Sequence, residues 1–96
     1  MSDAIFYAPT DPAQIKRERE KARELRGTHW WKLKLAEGRC HYCGNKFQPS
    51  ELTMDHLIPV GRGGKSTKGN VVVCCKDCNS KKADKTPVEI ALESLK

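Results

Sequence analysis

The sequence predicts a small α+β domain: a β-hairpin and a short helix stapled together by zinc, with further helices flanking them on the N- and C-terminal sides. Three observations carry that expectation. The chain has 96 residues, enough for one domain but at a size where a hydrophobic core alone stabilises only marginally, so a metal staple answers a need. Its five cysteines include two C-x-x-C pairs, Cys40 with Cys43 and Cys75 with Cys78, a spacing that lets four thiolates converge on one tetrahedral Zn²⁺. Between the pairs stand two runs rich in strand formers, Leu52–Val60 and Asn70–Cys74, joined by a long glycine-rich tip.

The first helix starts at Asp11-Pro12-Ala13-Gln14, where Asp11 is the N-cap, Pro12 takes the first helical position and Gln14 completes a capping box; Gly27 ends it. Its basic side chains, Lys16, Arg17, Arg19, Lys21, Arg23 and Arg26, outnumber Glu18, Glu20 and Glu24, and only Ile15, Ala22 and Leu25 offer an apolar stripe. The helix reads either as a solvated face or as an arm on a polyanion. Thr28 caps a second helix, His29 to Glu37, which carries Trp30, Trp31, Leu33 and Leu35 and stops at Gly38. It is expected to be the main helical contributor to the core, with both tryptophans packing rather than stacking on bases, and with His29 at the surface.

Arg39 to Phe47 reads as a zinc knuckle in which Gly44 and Asn45 take the positive φ of a tight turn. Leu52–Val60 is the strand that enters the site, with Pro59 limiting its pairing. The loop Gly61 to Gly69 is flexible and basic. It lacks the helix-start geometry of a nucleotide loop, so no nucleotide cofactor is expected. Cys75 to Cys78 forms the second knuckle and leads into a short helix through Asn79, Ser80, Lys81, Lys82 and Ala83. Cys74 competes with Cys75 as a ligand, but the two-residue spacing to Cys78 favours Cys75 and leaves Cys74 as a small core residue. Thr86-Pro87-Val88-Glu89 is a capping box that opens the last helix, with Val88, Ile90, Ala91, Leu92 and Leu95 on it.

Lysine and arginine number 18 against 12 acidic residues, a net charge of +6, which favours a polyanionic partner, nucleic acid by default. No stretch is apolar enough to cross a bilayer, and Met1–Tyr7 has neither a basic n-region nor a long apolar run, so the chain reads as cytoplasmic, where paired cysteines bind metal more often than they form disulfides. Four thiolates around one ion leave no open coordination position, so that site is structural and chemistry belongs elsewhere. The stretch between the knuckles holds the pair Asp55-His56, which reads either as an acidic metal ligand beside an imidazole base or as a structural histidine hydrogen-bonded to its neighbour.

Taken together, Cys40-x-x-Cys43, Asp55-His56-Leu57-Ile58-Pro59, Gly63-Gly64, Asn70 and Cys75-x-x-Cys78-Asn79-x-x-Lys82 resemble the HNH endonuclease family over about residues 38–83. The resemblance implies a ββα-metal fold that cuts phosphodiester bonds, with Asp55 and Asn79 as ligands of a catalytic ion, His56 as general base and Asn70 fixing the His56 loop. Asn79 stands where many members carry histidine. Its amide oxygen is a harder and weaker ligand than imidazole, which favours Mg²⁺ or Mn²⁺. The chain then divides into a basic helical extension, residues 1–27, and a nuclease domain with its C-terminal helix, residues 28–96. Duplex DNA is the expected partner, gripped at its phosphates by Lys65, Lys68, Lys81 and Lys82 and by Arg17, Arg19 and Arg23 of the first helix. The alternatives are a zinc module that binds nucleic acid without cutting it, and a protein-interaction domain whose basic helix meets an acidic partner.

Overall fold

Two strands and four helices make up the part of the chain that the computed structural model describes, residues 11–83, 85–93 and 95; the opening segment Met1–Tyr7 lies outside it. Strands β1 (Leu52–His56) and β2 (Val71–Cys75) pair antiparallel, in a register that runs from Leu52 opposite Cys75 to His56 opposite Val71. β1 is shorter than its strand-forming sequence. Beyond His56 the Leu57 N–H donates to the Asn70 carbonyl at 2.8 Å, Asn70's side chain takes both backbone groups of Ile58, and Pro59 has no N–H to continue a ladder. A 3₁₀ turn, Val60–Arg62, follows. The tip then folds back so closely that a Cβ on Gly64 would lie 1.7 Å from the Ile58 carbonyl oxygen, which only glycine permits.

The core gathers where Trp31, Cys40, Leu52, Val71, Val73 and Cys75 meet, and Cys74 on the opposite face of β2 is wholly buried as well. Helix α1 (Pro12–Arg26) is capped by Asp11, whose carboxylate accepts from the Gln14 N–H at 3.0 Å. α1 packs on the 3₁₀ turn of the tip and on helix α2 (His29–Glu37). Thr28 Oγ1 accepts from the Trp31 N–H at 3.2 Å to start α2, and Gly38 ends it in the left-handed conformation at φ +71°. Trp31 is buried and Leu35 packs beside it, whereas Leu33 is 54 % exposed. That corrects the expectation for Leu33: residues four apart share a helix face, and one two positions on points away.

In the knuckle Gly44 takes positive φ, +74°, and Asn45 does not; the Asn45 carbonyl instead accepts from the Cys40 N–H at 3.0 Å to close the turn. Helix α3 (Lys76–Lys82) starts directly from β2, with Cys75 as its cap. Helix α4 (Pro87–Glu93) opens on a full capping box, Thr86 Oγ1 accepting from the Glu89 N–H and Glu89 Oε1 from the Thr86 N–H. It turns Val88, Leu92 and the following Leu95 to solvent. No described helix is long and apolar enough to cross a membrane.

Candidate active site

Side chains that could hold metal or do chemistry gather at opposite ends of the hairpin. At the Leu52–Cys75 end, the sulfurs of Cys40, Cys43, Cys75 and Cys78 all lie within 4.8 Å of one another. The knuckle turn supplies two and the β2–α3 junction supplies two, with the Cys75 sulfur accepting from the Cys78 N–H at 3.4 Å. Burial opposes ionisation of Cys40, yet the N–H groups of Cys43, Cys75 and Tyr42 bring its thiol down to about 6. Cys78 is pushed up, by burial first and then by hydrogen bonds shared with the other three sulfurs. Opposite shifts on neighbouring thiols are what four crowded sulfurs produce, a crowding that a divalent cation would relieve. Four soft donors at this separation fit Zn²⁺. Cys74 stands outside the cluster.

At the His56–Val71 end, β1 terminates on Asp55 and His56. Residues adjacent on a strand face opposite ways, but the strand ends here, and both residues line one open cavity of about 410 Å³ together with Arg19, Arg26 and Lys82. Asp55 is buried, 7 % exposed. Its Oδ2 accepts the Tyr42 hydroxyl and lies 3.4 Å from the Lys82 ammonium, while Oδ1 takes no part in either bond. Burial, then the contact with Asp55, pushes the Tyr42 phenol above its ordinary value, so it remains a donor. Lys82 Nζ also donates to the His56 carbonyl at 2.9 Å. Lys82 therefore departs from the expectation of a solvent-facing phosphate grip: it is 5 % exposed and committed to the base of the site.

His56 is half-buried, with Nε2 2.9 Å from Ser66 Oγ. Burial holds its pKa below the ordinary value; the Asp55 charge opposes this, and Arg26 and Lys82 add to the lowering. A neutral imidazole results, the form that can accept a proton. Asn70 accepts from the Ile58 N–H at 2.9 Å and donates to the carbonyls of Ile58, at 3.1 Å, and Lys65, at 2.8 Å, tying down the turn that follows His56.

Other residues singled out in the sequence are placed around this centre. Asn79, one turn before Lys82 on the same face of α3, is half-buried and outside the cavity lining, and its side chain makes no hydrogen bond among the described residues. Lys65 is exposed, Lys68 lies 5.5 Å from the Trp30 ring centroid, and Lys81 pairs with Asp77 at 3.1 Å. Arg19, Arg23 and Arg26 share a groove along α1 that Arg17 does not reach. Sequence reasoning passed over Tyr42, Glu18, Ser66 and Arg26. Glu18 carried a legible signal, since it falls in phase with Ile15 and Ala22, and an acid on an apolar stripe needs a buried partner.

A family model described as HNH endonuclease matches residues 40–93. The chain is also 40 % identical over 53 residues, 54 % of its length, to a protein of Corynebacterium diphtheriae described as CRISPR-associated endonuclease Cas9. It spans only 5 % of that protein's length.

Proposed function

The chain belongs to the HNH endonuclease family, and from that premise we propose that it is a divalent-metal-dependent DNA endonuclease in which His56 activates water to hydrolyse a phosphodiester bond. The observation that carries this reading is the convergence of Asp55 and His56 on one open cavity edged by Arg19 and Arg26. Hydrolysis needs a base for the attacking water and positive charge around the phosphoryl oxygens. His56 is held neutral for the first task, and the two arginines supply charge for the second. Tyr42 and Lys82 hold Asp55 by one oxygen, and the other takes no part in those bonds.

Asp55 Oδ1 is a hard donor that suits Mg²⁺ or Mn²⁺, and the Asn79 amide oxygen, which lies outside the cavity lining, would have to turn toward Asp55 to share the ion; when bound, that ion would neutralise charge on the scissile phosphate and the leaving 3′ oxygen. The four cysteines would hold a structural Zn²⁺. Plasmid nicking by the wild type and His56→Ala, with and without Mg²⁺ or Mn²⁺, tests the proposal. Metal-dependent nicking that disappears in His56→Ala supports it. Tight, steeply salt-dependent binding without any cleavage would instead mark a non-catalytic nucleic-acid module.

A further inference from the structure

We infer that Ser66, anchored by Glu18 of α1, is a positioning residue that dictates which nitrogen of His56 is left to accept a proton, so that α1 belongs to the catalytic centre. The inference rests on the reading of His56 as the base.

Proton counting carries it. Ser66 Oγ lies 2.6 Å from the Glu18 carbonyl oxygen, and a carbonyl cannot donate. The single hydroxyl proton of Ser66 must therefore point at Glu18. The same Oγ lies 2.9 Å from His56 Nε2, and with its proton already directed elsewhere it can only accept there. Nε2 must carry the hydrogen. In a neutral imidazole the lone pair then resides on Nδ1, which becomes the atom that takes a proton from water.

Ser66 is itself held in place, because its N–H donates to Glu18 Oε1 at 2.7 Å. That bond, working against burial, keeps the Glu18 carboxyl below its ordinary value and so an acceptor. Glu18 is 2 % and Ser66 9 % exposed, so water does not compete for the link. Ser66 lies inside the family-matched segment and Glu18 outside it, which makes the link a contribution of this chain's own N-terminal helix.

The test follows the imidazole N–H of His56 by ¹⁵N-resolved NMR on the full chain, alongside single-turnover cleavage of DNA with Mn²⁺. In the wild type the ring proton should sit on Nε2 and exchange slowly with solvent. Ser66→Ala should lose that slow exchange and cut cleavage by about tenfold or more with DNA affinity unchanged, the usual scale for losing a residue that orients an active group. Glu18→Gln keeps an oxygen acceptor for the Ser66 N–H and should retain both signals, whereas Glu18→Ala should behave like Ser66→Ala. Ser66→Thr keeps the hydroxyl and should retain the slow proton even where its buried methyl lowers the melting temperature, separating the link from packing. A wild-type proton on Nδ1, or a Ser66→Ala protein that keeps both the Nε2 proton and the wild-type rate, overturns the inference. A wild type that cleaves nothing overturns the nuclease reading, and the ring proton still decides whether Ser66 sets the tautomer.

Discussion

At the Leu52–Cys75 end of the hairpin four sulfurs of one kind crowd within 4.8 Å, while at the His56–Val71 end a carboxylate, an imidazole, an ammonium and two hydroxyls are joined in a network of unlike groups. Identical donors can be placed by local spacing, since two tight turns suffice. Unlike groups must converge from separate elements: β1 brings Asp55 and His56, the knuckle Tyr42, the tip Ser66, α1 Glu18 and α3 Lys82. Helix α3 joins the two ends, beginning at Cys75 and Cys78 and finishing at Lys82. One end should therefore govern whether the chain folds, and the other what it does.

The widest separation between the ends should appear when the Zn²⁺ proposed for the four-cysteine cluster is withheld. Metal–thiolate binding in small modules is folding free energy on the order of 10 kcal/mol. A chelator, or Cys40→Ser, is expected to abolish the near-UV circular dichroism and the cooperative melt. A chelated protein that still melts cooperatively would break the comparison, because the hairpin would then stand without its staple.

At the His56–Val71 end Lys82 is expected to cost fold stability as well, as is its buried partner Asp55. Lys82→Ala would leave the Asp55 carboxylate buried without its counter-charge, a loss of about 3–5 kcal/mol, toward the lower figure because Tyr42 still donates to the same oxygen. Urea denaturation measures it, and Lys82→Met combined with Asp55→Asn should recover most of the loss. A change under about 1 kcal/mol would put Lys82 among weak surface pairs and make the division of labour between the ends sharper still.

His56→Ala should show the reverse pattern, an intact melt with cleavage lowered by about 10²-fold or more, the usual contribution of a positioned base. Asp55→Ala and Asn79→Ala should be partly rescued by raised Mg²⁺ or Mn²⁺, and His56→Ala should not. The pH profile carries a sign. Burial lowers the His56 pKa, protonation removes the lone pair, and so the rate should fall only as pH drops below the ordinary histidine value of 6.5. A rate already halved above that value would mean that the ring is not shielded as the geometry requires.

The same contrast explains what the sequence disclosed. The two C-x-x-C pairs and the strand runs are local patterns, and they located the cysteine cluster and the hairpin. β1 stops short of its strand-forming run because Asn70 captures Ile58 across the tip, a side-chain contact that strand propensity cannot anticipate. In the sequence Lys82 is one more lysine of a basic run, and only the fold sets Asp55 against it. The Glu18–Ser66 bonds join α1 to the distant tip; the helical phase of Glu18 with Ile15 and Ala22 was a signal left unread, and no local rule could name its partner.

The smallest effect concerns the approach of DNA. Arg19 and Arg26 line the cavity, whereas Lys81 is turned outward on α3 and neutralised by Asp77 at 3.1 Å. Removing one cation that touches a phosphate reduces the slope of log affinity against log salt by about 1. Arg19→Gln and Arg26→Gln should each lower the slope by about that amount, and Lys81→Gln should leave it nearly unchanged, because its counterion is already a carboxylate of the same helix. Fluorescence anisotropy across a salt titration on an uncleaved duplex, with Ca²⁺ in place of Mg²⁺, reads all three. If Lys81→Gln flattens the slope as much as Arg26→Gln, the duplex runs over α3 and away from α1, and the catalytic end would be fed from the side that also carries the staple.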